Sequence, residues 1–256
     1  MRENFLKKYD VVYSLGTNCA ASDYLRRMGL RKEAGTFDWV AAGAPNLPFY
    51  FLIHGFENFL RQEDLVLMED LSAANLRQVY RSFKSSYTFY HDFSKDKTLS
   101  EQFEEVFEKY KRRQNRLLRD LTSGKQVLLV WYAENTSFLE KEKLSAYVKK
   151  ITEKFGKNIY FLLIEYNQKQ QEDILVFTLA RNALCYVLGN CSSHPREEGT
   201  LSWDSERITP LLKGIKVQFS FTEWIKSHKS IWVRICTWFI WNKTRRHEFV
   251  ESHLGK

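Results

Sequence analysis

The chain is short of the residues that mark the simplest protein classes. It has only four prolines and eleven glycines in 256 residues, which excludes a collagen-like or proline-rich repeat. Its four cysteines, Cys19, Cys185, Cys191 and Cys236, form no Cys-x-x-Cys pair. The Cys185–Cys191 spacing suits neither a zinc knuckle nor a thioredoxin motif, and a disulfide framework would be denser. All four read as reduced thiols, and no metal or cofactor is expected. No stretch reaches the ~18 uninterrupted apolar residues of a membrane-spanning helix. The charged segment Met1 to Lys8 is followed only by the short apolar run Val11 to Leu15, too brief for a signal-peptide core. A cytoplasmic address is the expectation.

What the chain does have is apolar bulk and positive charge. Hydrophobic residues make up 44% and aromatics 15% of it, enough for a sizeable core. The net charge of +8 serves solubility and pulls weakly toward anionic partners.

Periodicity divides the sequence into elements. Asp10 to Gly16 reads as a short buried strand, and Cys19 to Met28 as a helix capped by Thr17 or Asn18 and closed by Gly29. Leu30 to Pro48 reads as loop. Helices are expected over Leu47 to Leu60 and Ser72 to Phe83, the latter with Asn75 and Gln78 outward. Ser86 to Phe93 reads as a strand ending in a polar turn at His91-Asp92. Ser100 to Leu121 carries Phe103, Val106, Phe107, Tyr110, Leu117, Leu118 and Leu121 at helical spacing. Strands follow at Gln126 to Tyr132 and Asn158 to Tyr166, with a helix at Leu139 to Phe155 between them. Ile174 to Leu179 and Ala183 to Leu188 pair as a hairpin about Arg181-Asn182.

Alternating helices and nearly continuous apolar strands predict an α/β fold. The expected architecture is three-layered, a mostly parallel sheet with helices on both faces, joined by right-handed crossovers. Residues 1–225 form the α/β domain. Residues 226–256 form a basic aromatic segment, read as a helix packed on it. From Lys226 to Arg246 there are six Lys/Arg and no Asp or Glu, with Trp232, Trp238, Phe239 and Trp241 interleaved. Residues 226–246 could therefore rest on an anionic membrane surface, peripheral to its inner face. Nucleic acid is disfavoured, since no recognition motif accompanies the charge.

Ligands of open α/β sheets sit beyond the carboxyl ends of the strands. The segment Ser14-Leu15-Gly16-Thr17-Asn18-Cys19 leaves the first strand there. A thiol at a helix N-terminus feels partial positive charge, which favours the thiolate. Amides of the same turn can hold an oxyanion. Cys19 is thus the candidate nucleophile at a turn after strand 1. Ser14, Gly16, Thr17 and Asn18 are candidate binding residues. The plainer reading is a small thiol packed beneath the sheet. A cysteine nucleophile needs a base: His91, at its expected strand end on the same rim, is the first candidate and His194 the second. Asp38 and Asp92 could orient an imidazole, or merely serve turns and caps.

Three spaced motifs carry a resemblance. Val12-Tyr13-Ser14-Leu15-Gly16-Thr17-Asn18-Cys19, Leu25-Arg26-Arg27-Met28-Gly29-Leu30-Arg31 and Gly35-Thr36-Phe37-Asp38-Trp39-Val40 resemble the start of a bacterial and viral family labelled papain-like cysteine peptidase, of unassigned function. The family's His-Asp-Phe triplet is matched by His91-Asp92-Phe93, while Thr36 stands where proline is usual. The resemblance implies a cysteine-dependent hydrolase or acyl transferase with Cys19 as nucleophile, His91 as base and Asp38 or Asp92 as orienting acid. Its substrate would be a peptide, ester or thioester. Ser14 to Cys19 also loosely resembles the first block of SGNH-like enzymes of polysaccharide biosynthesis, which would make the substrate a glycan. A non-catalytic module docking on membrane or polyanion is the third alternative.

Overall fold

The computed structural model describes residues 8–134, 141–167, 174–189 and 205–220. The chain divides into two units, Met1–Val217 and Gln218–Lys256, and the elements below belong to the first. Cys191, His194 and the expected helix over 226–256, with its membrane role, lie outside the described residues.

The larger sheet has five strands. In chain order they are β2 (Val11–Ser14), β7 (Val127–Glu134), β8 (Ile159–Asn167), β9 (Ile174–Ala180) and β10 (Ala183–Gly189). Their spatial order is β2-β7-β8-β10-β9. The first four run parallel, and β9 closes the edge antiparallel to β10. Successive strand residues face opposite sides, and here both sides are covered. Val11, Tyr13, Leu129, Phe161 and Leu163 pack with Leu117 and Leu121 of helix α4 (Leu99–Thr122) and with Leu144, Val148 and Ile151 of α5 (Lys141–Phe155). Val12, Leu128, Val130, Leu162 and Ile164 pack with Ala20, Ala21, Tyr24 and Leu25 of α1 (Ala20–Arg27) and with Ile208 and Leu212 of α6 (Ser205–Leu212). Burial on both faces explains why these strands read as continuous apolar runs. A short parallel pair, β1 (Lys8–Tyr9) with β11 (Lys216–Val217), stands apart. No helix among the described residues is long and apolar enough to cross a membrane.

A second sheet was not expected. It is antiparallel, in the order β3-β6-β5-β4, with β3 (Val40–Ala42), β4 (Leu65–Leu67), β5 (Gln78–Ser82) and β6 (Tyr87–Phe93). Three expectations are corrected by it. The segment Leu30 to Pro48 holds a strand, because Val40, Ala41 and Ala42 pair with Phe89, Thr88 and Tyr87. The helix expected over Ser72 to Phe83 is instead the short α3 (Glu69–Ala74) followed by β5. Val79 and Tyr80 suit a strand as well as a helix, and pairing on both edges decides for the strand. Finally, α2 (Leu47–His54) stops well short of Leu60, since Gly55 turns the chain with φ +94°.

A cluster of rings packs β6 of this sheet against α2 and α4. Phe37, Phe51, Phe59, Tyr87, Phe89 and Tyr110 touch one another in tilted and edge-on pairs. All six are at most 3% exposed. Such pairs contribute about 0.5–1.5 kcal/mol each beyond their buried area.

One buried acid interrupts the larger sheet. Glu165 sits on β8 between Ala133 and Val187, with its Oε1 unpaired. Burial pushes its carboxyl from the ordinary 4.5 up to about 7. The folded chain therefore holds this proton over a pH range in which the unfolded chain has released it. Stability contributed here is full below the ordinary value and is lost as pH rises toward about 7. The substitution Glu165→Gln is expected to remove that slope and to raise stability at pH 8 by about 1–3 kcal/mol. Urea unfolding of both proteins at pH 5.5 and pH 8 measures it; an equal difference at the two pH values would refute the assignment.

Candidate active site

The turn after β2 is held at every step. Leu15 N–H donates to Val130 O at 2.7 Å, and Thr17 N–H and Oγ1 both donate to Tyr132 O, at 3.3 and 3.1 Å. The first strand thus stays paired with β7 until Thr17. The Thr17 carbonyl then accepts Ala42 N–H at 2.7 Å from β3. Gly16 is needed where it stands: a Cβ there would come within 2.4 Å of the Asn18 carbonyl oxygen. Ser14 is 2% exposed, and its Oγ accepts Gly16 N–H at 3.1 Å. Ser14, Gly16 and Thr17 therefore shape the turn and do not line the pocket described below.

Asn18 Oδ1 accepts Ala20 N–H at 2.9 Å, capping α1 with its side chain. Cys19 already has helical angles, φ −72° and ψ −8°, and its carbonyl accepts Asp23 N–H at 3.0 Å. The thiol is reduced and half-buried, in the first turn of the helix, where the partial positive charge of the helix lies.

Asn18 and Cys19 line one side of a pocket of about 280 Å³. Its other walls are Trp39, Val40 and Ala41 at β3, Tyr90 and His91 on β6, and Asn75 just after α3. His91 does not stand at the end of a strand on the rim of the parallel sheet, as the sequence suggested. It lies inside β6, in the antiparallel sheet. It reaches the pocket through an irregularity: Gln78 pairs with Phe93 and Tyr80 with Phe89, so β6 runs longer than β5 between these points. Bulges of this kind re-aim side chains. Here Tyr90 and His91 both turn to the pocket, while Asp92 goes to the other side. Asn75 Nδ2 donates to Tyr90 O at 3.1 Å, tying down the bulged strand.

Neither aspartate expected to orient the imidazole lines the pocket. Asp92 accepts Lys109 Nζ at 2.6 Å and Tyr110 OH at 2.8 Å. Asp38 is 1% exposed and accepts Gly35 N–H at 2.7 Å and Arg31 Nη1 at 2.9 Å. Burial raises the Asp38 carboxyl above its ordinary value, opposed by Gly35 N–H, Arg31 and Arg113. What borders His91 instead is Trp39, ring to ring at 5.8 Å and 81°. The Arg31 guanidinium lies 5.4 Å from the Trp39 centroid. Trp39 stands inside the Phe-Asp-Trp motif with no role evident from the sequence, and Asn75, expected outward on a helix, follows α3 and lines the pocket. No local signal marked Asn75 or Tyr90, since the bulge that gathers them depends on β5.

The family model described as "Putative papain-like cysteine peptidase (DUF1796)" matches residues 10–171. A protein of Acanthamoeba polyphaga mimivirus, described as uncharacterized, is 24% identical over 209 residues, covering 74% of this chain and 93% of that protein. No solved structure matches.

The tight turn yields a direct expectation. Gly16→Ala should cost about 1–3 kcal/mol, because the obstructing atom is backbone and cannot swing aside. It should also change the alkylation rate of Cys19. Thermal melting and iodoacetamide labelling check both; a variant matching wild type in each would show that the close approach is not maintained in solution.

Proposed function

The chain belongs to the family described as "Putative papain-like cysteine peptidase (DUF1796)", and from that premise we propose a cysteine-dependent hydrolase in which Cys19 is the nucleophile and His91 the base. The observation that supports this reading is that both residues line one pocket, with the cysteine in the first turn of a helix.

In this mechanism the imidazole of His91 takes the proton of the Cys19 thiol as sulfur attacks a carbonyl carbon. The carbon–oxygen π bond opens to an oxyanion, which main-chain N–H groups at the start of α1 stabilise. Collapse of that intermediate expels the leaving group, which receives the proton from His91. The resulting thioester on Cys19 is then attacked by water, with His91 as base again, and the carboxylic acid leaves. Transfer to another acceptor differs only in what replaces water in the second half. Val40, Ala41, Trp39 and Tyr90 give the pocket an apolar wall, suited to an acyl group with an apolar portion.

The test uses activated acyl donors: a p-nitrophenyl ester, an aryl thioester and a peptide anilide. Wild type is expected to give a burst of leaving group and an acyl mass on Cys19. Cys19→Ala should give neither, and His91→Gln should acylate about 10²–10⁴-fold more slowly. Full turnover by Cys19→Ala would overturn the proposal.

A further inference from the structure

We propose that Trp39 is a positioning residue for His91, held in place by the Asp38–Arg31 ion pair, so that Asp38 serves the site through Arg31 and Trp39 rather than by contact. The inference rests on the reading of His91 as base.

An exposed imidazole on a strand has free rotation about its side-chain bonds unless a neighbour restricts it. The two acids that the family resemblance offered as orienting groups are engaged elsewhere, Asp92 with Lys109 and Tyr110 and Asp38 with Arg31 and Gly35. The ring of Trp39, in the turn just before the adjoining strand β3, meets His91 edge-on at 5.8 Å and 81°. That arrangement favours one orientation of the imidazole, because the positive edge of one ring meets the negative face of the other. Tyr90 is the other ring near His91, at 6.4 Å and 48°. Cys19 lines the same pocket, while Asp92, which does not, is bonded to Lys109 and Tyr110.

Trp39 is itself only half-buried, so its own orientation needs support. Arg31 supplies it as a cation near the ring, 5.4 Å from the centroid. Arg31 in turn is fixed by two bonds from Nη1, to Ser22 Oγ at 2.6 Å and to Asp38 Oδ2 at 2.9 Å. Arg31, Asp38 and Trp39 come from two of the sequence motifs, the Leu-Arg stretch ending at Arg31 and the Phe-Asp-Trp peptide, and His91 comes from the His-Asp-Phe triplet. The tryptophan next to Asp38 thereby carries the orienting role that the family resemblance implies for Asp38 itself.

Two readouts test this on the full chain. Protonated imidazole quenches indole emission, so tryptophan fluorescence is followed from pH 8 to pH 5. Iodoacetamide labelling of the Cys19 peptide is followed over the same range. Wild type is expected to show a quenching step that disappears in both His91→Gln and Trp39→Phe. In Arg31→Met the step should shrink by about twofold or more, with Arg31→Lys restoring it. Trp39→Ala and Arg31→Met should slow labelling at pH 7 by about tenfold and flatten its pH profile, as His91→Gln does. Trp39→Phe keeps an aromatic ring and guards against a variant that fails to fold. If the step persists unchanged in His91→Gln and Trp39→Phe, the contact is absent and the proposal falls. If His91→Gln slows labelling but Trp39→Ala and Arg31→Met leave both rate and profile intact, the base stands and the positioning role falls. If His91→Gln labels like wild type, the base itself is wrong and the positioning role goes with it.

Discussion

The two carbonyl contacts of Thr17 are the joint on which the site depends. On one side its N–H and hydroxyl close onto Tyr132 O, extending the parallel sheet past the end of β2. On the other its carbonyl takes the N–H of Ala42, the last residue of β3. A single residue therefore bonds to both sheets, and Asn18 and Cys19 follow it directly. The pocket is bounded by the turn on one side and the antiparallel sheet on the other, so its width is set by this joint. A hydrogen bond of this kind is worth only about 0.5–1.5 kcal/mol net. Its importance here is geometric: it fixes where the helix carrying the thiol begins relative to the strand carrying the imidazole.

Behind that joint lies a core that mixes aromatic packing with buried charge. The rings around Phe59 and Tyr87 knit β6, α2 and α4 together. Into the same region project Asp38 and Asp92, each costly to bury unless paired. Both are paired, with Arg31 and with Lys109. Elsewhere Tyr13 OH donates to Asp120 Oδ2 at 2.7 Å, and Lys125 Nζ to Asp120 Oδ1 at 2.8 Å, linking β2 to the end of α4. Polar contacts have directions that apolar packing lacks, and three meet on the segment from Arg31 to Val40: Arg31 Nη1 and Gly35 N–H donate to Asp38 Oδ2, and Arg116 Nη2 donates to Ala34 O. That convergence gives the Phe-Asp-Trp peptide a definite conformation beside the pocket.

Much of the larger sheet was legible before any coordinates. Val127 to Trp131 and Ile159 to Ile164 announce themselves as buried strands because both of their faces are covered. The long helix α4 shows its apolar stripe plainly, and the hairpin about Arg181-Asn182 is where the pattern put it. In the smaller sheet only β6 was legible, expected over Ser86 to Phe93; the other three strands were hidden for the converse reason. β3, β4 and β5 have three to five residues each, and residues such as Val66, Leu67 and Phe83 stand open at the surface. A stretch like Gln78 to Ser82 takes its conformation from partners on both edges, which a local pattern cannot display.

The candidate site divides along the same line. By itself the sequence determined that a cysteine follows a glycine turn at the end of the first strand, because strand, glycine, cap and helix are all local features with local physical causes. The family resemblance, through the triplet His91-Asp92-Phe93, also singled out His91. Only the tertiary structure decided that Cys19 and His91 line one pocket, and the unequal pairing between β5 and β6 lies beside that stretch of β6. It likewise decided that Asp38 and Asp92 face away from the pocket, and that Trp39, Asn75 and Tyr90 border it. Side-chain direction on a bulged strand is a property of the pair of strands, and no single segment of the chain carries it.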